Sequence, residues 1–283
     1  MSLYKHHANP RTIIAIIIVS AIIHALSLYL GIHHFSQWRW VNVAVHSAIE
    51  VAGSFIAFFV AYLLVMLERR SLGTSFNIPI AGAMVGMGIL DGAHALVAPG
   101  QLFVWLHSLA TFVGGLLFSV ILLPHKLRKK FNYRWPSMVL VASLFIAILS
   151  TIFAAHLPPM ADSHGFTPIA ITLNVSGGLL LLLSALALAL AYTKHSLSDD
   201  LLFVLHCAMF GFAAVMFQQS QLWDLPWWGW HVLRLLAYGV ALWFALSSEL
   251  LAQLRTEEQN LALDKDIADK KSLLEALSKR YED

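Results

Sequence analysis

Two pairs of ionisable residues stand at helical spacing inside apolar runs of this sequence: His46 with Glu50, four apart, and Asp91 with His94, three apart. At those spacings both members of a pair lie on one helix face. His107, His231 and Arg234 occur in further apolar runs. Neutral imidazole together with carboxylate is a ligand set for zinc, iron or copper(II). Helical bundles use pairs three or four residues apart to deliver two ligands from one rigid element. The carboxylates also suit a supporting role, fixing the histidine tautomers from behind, and Arg234 suits a counter-ion to Asp91 or Glu50. Haem held by two histidines is a variant; carboxylates, which haem does not require, favour a non-haem ion. Taken singly, each pair also reads as an interhelical hydrogen bond, and His107 as a satisfied structural histidine. The joint pattern is the argument, because a charged group at a helix centre in lipid costs about 2.5–3.5 kcal/mol on insertion scales.

The elements that position these residues are set by composition. The chain has 283 residues, 59% hydrophobic and only 12% charged, which excludes an ordinary water-soluble domain. Apolar runs matching the thickness of a bilayer recur along it. Hydropathy places about eight spans, at 12–32, 41–67, 78–98, 101–123, 136–156, 168–193, 201–219 and 228–250. Only helices satisfy every backbone amide in lipid without closing a barrel, so the expected fold is all-α, a polytopic membrane helix bundle. The first run is too long for a cleavable signal and no small-residue cleavage site follows it, so it is expected to stay as a helix.

Loop charges orient the bundle. Lys5, Arg11, Arg69, Arg70, Lys126, Arg128, Lys129, Lys130, Arg134, Lys194 and Arg255 all fall on one side when the spans alternate, while the other side carries Arg39. The positive-inside rule then puts both termini in the cytoplasm. Trp38, Trp40, Trp223, Trp227, Trp228 and Trp230 fall at the opposite face, where they read as interfacial anchors. With this orientation, His46, Glu50, Asp91, His94, His107, His231 and Arg234 lie roughly 5–13 Å below the outer ends of four helices, from the rise per residue.

Other histidines fit the pattern less well. His24 has no partner nearby in sequence, and His206 is at the wrong depth. His33, His34, His156 and His164 read as loop or helix-end residues, and His6, His7, His125 and His195 as cytoplasmic ones. Met84 and Met87, three apart, suit Cu(I) but more often simply pack. Cys207, the single cysteine, excludes an internal disulfide. The sequence has no His-Glu-x-x-His, phosphate-binding glycine loop or nucleophile elbow, and nucleic acid is not expected as a partner. Small residues in 82–92 and at Gly114 and Gly115 favour close helix packing.

Composition changes after the last span. Residues 247–283 are charged, with no Pro or Gly. Ile267, Leu274 and Tyr281 recur every seven residues, Leu263 and Leu277 fall near the complementary position, and Asn260 and Lys270 interrupt the seam. This reads as a cytoplasmic coiled-coil-like helix that pairs with a second copy as a parallel dimer. Two domains are expected: a bundle over 1–250 and a signalling and dimerisation helix over 251–283.

The blocks His46-Ser-Ala-Ile-Glu50, Ile89-Leu-Asp91-Gly-Ala-His94 and Trp228-Gly-Trp-His231-Val-Leu-Arg234 resemble those of membrane-associated sensor domains of the MASE type. That resemblance spans most of 41–250. It implies an apolar sensory bundle followed by a cytoplasmic signalling helix and a histidine kinase or diguanylate cyclase output, in two-component or cyclic-di-GMP signalling. No kinase or cyclase sequence follows Asp283 here, so the output is expected from beyond this sequence or from a separate protein. The expectation is a metal-binding membrane sensor rather than an enzyme in its own right. An intramembrane metalloenzyme with an activated water and a proton- or ion-coupled transporter using Glu50 and Asp91 are the alternatives.

Overall fold

The computed structural model describes residues 10–70, 75–163, 165–195 and 198–282. Lys5, His6, His7 and His164 lie outside the described residues, as do the side chains of Arg11, Lys194, His195, Arg255 and Tyr281. The described chain is built almost wholly of helix. Helix α1 spans Pro10–His33, α2 Val43–Arg69, α3 Asn77–Ala95 and α4 Gln101–Phe118. A single helical turn, α5, covers His125–Arg128. Then come α6 (Trp135–Ile152), α7 (Pro168–His195), α8 (Ser198–Met216) and α9 (Leu225–Glu282). Each of the eight apolar runs is therefore helical. A two-stranded hairpin, β1 (Ala161–Asp162) with β2 (Gly165–Phe166), interrupts the connection between α6 and α7, where sequence periodicity gives only loop.

Local chemistry explains several boundaries. The Asn42 side chain accepts a hydrogen bond from Val45 N at 3.0 Å and so caps α2. Proline stands at the start of α6 and of α7, where its missing N–H costs nothing. Asp224 caps α9, accepting from Trp227 N at 2.7 Å and from Gln221 N at 2.8 Å. Burial pushes the Asp224 carboxyl above its ordinary value, against the pull of those two donors and of Arg39.

Among the described residues, six helices are long and apolar enough to cross a membrane: α2, α3, α4 with its following turn, α6, α7 and α9. Apolar stretches of α1 and α8 are shorter among the described residues. Large apolar side chains point outward along several of them, including Ile22, Phe55, Val141, Phe145, Leu183 and Leu190. That much exposed hydrocarbon suits lipid and not water.

Lipid tails are as apolar as leucine, so close van der Waals fit must bring the helices together. Helix α3 is buried along nearly all its length and packs on α2, α4 and α6; α4 packs on α7, and α7 on α8. Small residues make these approaches possible. A Cβ on Gly115 would collide with the Gly177 carbonyl oxygen, and one on Gly177 would stand 2.5 Å from the Thr111 carbonyl oxygen. Met87 seats in the space left by Gly114. That contact gives Met87 a packing role, and Met84 is likewise fully buried.

At the end bearing the basic loops, the Arg128 guanidinium lies 4.4 Å from the Phe76 ring centroid and donates to the carbonyls of Ile121 and Leu123. At the opposite end, Trp223 adopts φ 70°, a left-handed conformation costly for a bulky residue. Its carbonyl accepts from Trp40 N at 3.0 Å, and the Trp228 indole donates to Trp40 O at 3.2 Å. The tryptophans at this end divide. Trp38 and Trp40 are exposed, as anchors should be, whereas Trp223, Trp227, Trp228 and Trp230 are buried and form an aromatic roof.

The chain divides into two compact units, one ending at Ala245 and one beginning at Leu246. In the second, Leu261, Leu263, Ile267, Leu274 and Leu277 are exposed on a helix whose other residues are mainly polar. Its Asp266–Lys270 pair, 2.7 Å apart, is exposed and adds little stability.

Candidate metal centre

Four helices converge beneath the aromatic roof. Helix α2 supplies His46 and, one turn on, Glu50; α3 supplies Asp91 and His94; α4 supplies His107; α9 supplies His231 and Arg234. All seven side chains are buried, none more than 5% exposed. The residues singled out by spacing thus come together in one cluster.

Within the cluster the tautomers are fixed by what each ring nitrogen faces. His94 Nδ1 lies 2.7 Å from the Phe103 carbonyl oxygen, and His231 Nδ1 2.7 Å from the Trp227 carbonyl oxygen. A carbonyl only accepts, so both Nδ1 atoms carry the proton and both Nε2 atoms present a lone pair. The far nitrogen of a metal-bound histidine is held in this way, by a donor bond to a carbonyl or carboxylate. His46 Nδ1 has no hydrogen-bond partner, so nothing fixes its tautomer from behind.

The freed lone pairs face the interior of the cluster, where His94 Nε2 accepts from His46 Nε2–H. His94 Nε2 is 3.2 Å from His46 Nε2, His231 Nε2 is 3.3 Å from Glu50 Oε1, and His46 Nε2 is 3.9 Å from the same oxygen. Around a tetrahedral ion with bonds of about 2.0–2.1 Å, ligand atoms stand about 3.3–3.4 Å apart. Two of these separations lie close to that edge length and the third is longer. His231 Nε2 and Glu50 Oε1 also oppose each other without a hydrogen bond between them. A cation shared between two lone-pair atoms turns that opposition into attraction.

Two overlapping groups have ligand atoms within 4.8 Å of one another: His46 with Glu50 and His231, and Glu50 with His94 and His107. Glu50 belongs to both. Asp91, a candidate ligand by its spacing, is in neither group and is engaged elsewhere. Its Oδ2 accepts from Arg234 Nη2 and, at 2.9 Å, from the Tyr238 hydroxyl. Arg234 Nη1 donates to Glu50 Oε1 at 3.1 Å and to His107 Nδ1 at 2.9 Å. Because a guanidinium only donates, His107 Nδ1 is the acceptor and its proton sits on Nε2. The guanidinium also lies 5.2 Å from the Phe210 ring centroid.

The charge balance follows from these partners. With both carboxylates ionised and the imidazoles neutral, Glu50 and Asp91 outweigh Arg234 by one negative charge. A buried net charge is costly, so the cluster favours either a proton on one carboxylate or an added cation.

Tyr238 is a member that spacing alone does not reveal, although it follows Arg234 by one helical turn. The carbonyls of Phe103 and Trp227 are two more. His24 and His206 lie apart from the cluster. His206 Nδ1 contacts the Ala237 carbonyl at 2.8 Å among Phe118, Phe210 and Tyr238. Comparison with family models, curated proteins and solved structures finds no match for this chain.

Proposed function

We propose that this chain is the membrane sensor module of a bacterial signalling protein, and that it binds one transition-metal ion among His46, Glu50, His94 and His231. The opposition of His231 Nε2 to Glu50 Oε1 at 3.3 Å, with the imidazole proton committed to the Trp227 carbonyl, carries the reading. His94 adds a third imidazole whose tautomer is set in the same way. Asp91, Arg234 and Tyr238 form the supporting layer, with Arg234 tying the ligand Glu50 to Asp91. Zinc, iron and copper all suit these donors; haem is the weaker variant, because the lone pairs converge within a few ångströms and leave no plane for a macrocycle.

The signal reading rests on α9. It bears His231 and Arg234, and it is the helix in which the heptad-like segment lies. An ion that pulls His231 and Glu50 together biases α9 against α2, to the extent that it binds one bundle state more tightly than the other. In this reading all eight apolar helices span the inner membrane, both termini are cytoplasmic, and the 251–283 segment pairs as a homodimer. A kinase or cyclase output, as in the MASE-type domains that the motifs resemble, receives the change. A metalloenzyme is less well supported, because the cavity beside the cluster, about 10 Å³, is sized for a water-sized molecule and not an organic substrate. A proton relay is the remaining reading, favoured by the Tyr238–Asp91–Arg234–Glu50 chain of contacts.

Metal analysis of the freshly purified protein tests the proposal. One equivalent of metal per chain is expected, with loss in His46→Ala and in His94→Ala. Stoichiometric metal surviving both substitutions would sink this site, and a metal-free protein that takes up none on titration would favour the proton relay.

A further inference from the structure

The segment joining α4 to α6 carries Lys126, Arg128, Lys129, Lys130 and Arg134, five cations in nine residues. No Asp or Glu occurs between Gly92 and Ala161, so the surrounding sequence supplies no counter-charge.

One of the five serves the segment itself. Arg128 donates to the carbonyls of Ile121 and Leu123 at 2.7 and 2.9 Å and lies over the Phe76 ring, which closes the turn after α4 against the start of α3. Aromatic side chains hold the rest of the segment to the bundle. Phe131 and Trp135, both half-buried, meet edge to face at 4.6 Å, and Trp135 seats against Gly82 of α3. The Tyr133 hydroxyl donates to the Glu68 carbonyl at 3.4 Å. Lys126, Lys129, Lys130 and Arg134 are left exposed, and among the described residues none of them forms an ion pair. Arg69, at the end of α2, joins them. It is exposed, and its guanidinium stands 5.8 Å from the ring centroid of Tyr133, the neighbour of Arg134.

The positive-inside bias explains which side these residues occupy. It does not explain why one arginine is drawn in to fold the segment while four cations are held out beside a fifth from α2. Hydrocarbon is exposed next to them, at Leu122 before the segment, Leu127 within it and Met138 after it. A soluble anion would match the charges and leave those side chains unmatched. A phospholipid matches both. Clusters of four to eight Lys or Arg beside a membrane span bind anionic headgroups, each cation adding about fivefold in affinity. Resting on the membrane-spanning reading above, we propose that Arg69 and the 126–134 segment form a docking ledge for an anionic phospholipid, its phosphate among the exposed cations and its hydrocarbon along Leu122 and Met138.

Native mass spectrometry of the full chain, released from mixed micelles holding phosphatidylglycerol and phosphatidylcholine in equal amounts, is the test. The wild type should retain phosphatidylglycerol at least about tenfold more tightly, and the advantage should shrink as salt is raised. Lys126→Gln with Lys129→Gln and Lys130→Gln should remove at least about tenfold of that affinity and leave phosphatidylcholine unaffected. Arg69→Gln with Arg134→Gln should do the same, so that a folding failure in one set leaves the other. Arg39→Gln, an exposed cation at the opposite end, should keep the preference. Equal retention of the two lipids by the wild type, or a preference that survives both sets, overturns the inference. Free pyrophosphate bound as tightly as the lipid would assign the ledge to a soluble anion and overturns it too. A chain that alkaline carbonate strips from membranes removes the membrane-spanning reading itself, whereas a chain that stays in membranes without lipid preference leaves that reading standing.

Discussion

Replacing Arg234 by Met separates the roles of protein cation and bound metal. In the metal-free protein the guanidinium is the one positive side chain contacting both Glu50 and Asp91 among the described residues. Those carboxylates are 3% and 0% exposed. Removing one partner of a buried ion pair costs about 3–5 kcal/mol, because the remaining charge stays buried and uncompensated. Arg234→Met should therefore destabilise the metal-free bundle by about that amount. The metal-bound protein should behave differently. Arg234 and the ion compete for Glu50 Oε1, and two unit charges 4 Å apart interact by about 4 kcal/mol at an effective dielectric of 20. Relief of that repulsion should raise affinity for zinc at least about tenfold, or about 1.4 kcal/mol. Saturating zinc should then recover more stability in the variant than in the wild type, since binding adds RT ln(1 + [L]/Kd). Unfolding in mixed detergent micelles, with and without zinc, reads all of these quantities. An equal penalty in both conditions, or a metal-free penalty under about 1 kcal/mol, would refute the reasoning, because either would mean that Arg234 does not balance the site.

Three further outcomes follow from particular contacts. Gly115→Val forces α4 off α7, since its side chain meets backbone that cannot yield; it should cost about 1–3 kcal/mol and weaken metal binding through displaced His107, read by unfolding and metal titration. Asp224→Ala removes the hydrogen bond that caps α9 at Trp227 N and the one that holds Gln221 N in the preceding turn, and should lower stability by about 1 kcal/mol, with altered tryptophan emission from the roof above His231. If the 251–283 segment pairs as proposed, Ile267→Glu with Leu274→Glu should leave metal content unchanged and abolish the cross-linked dimer of the wild type; a wild type that does not cross-link would refute the pairing, and a dimer that persists in the variant would relocate it to the bundle.

Much of this architecture is legible in the sequence because lipid simplifies the code. In lipid, twenty apolar residues in a row can satisfy their backbone only as helix unless a barrel closes, and each apolar run is helical. The site is legible for the same reason, since buried ionisable residues are few and their spacing assigns faces. The finer roles are not legible. Asp91 and Glu50 look equivalent by spacing, yet Arg234 and Tyr238 claim Asp91 and leave Glu50 grouped with four imidazoles. That choice depends on how α9 is rotated against α2 and α3. The tautomers of His94 and His231 are set by backbone carbonyls, which carry no residue-type signal. The roof tryptophans read as interfacial anchors because hydropathy cannot distinguish a helix end meeting water from one covered by its own loop. Trp223 at φ 70° turns that loop inward.

The central claim is that imidazole nitrogens and the Glu50 carboxylate hold a metal ion inside the bundle. X-ray absorption at the edge of the bound metal tests it most directly. The account predicts nitrogen and oxygen neighbours at about 2.0–2.1 Å together with the outer-shell scattering of two or three imidazoles. Sulfur neighbours at about 2.3 Å, which only cysteine or methionine would supply, or a shell of oxygen without imidazole, would contradict it.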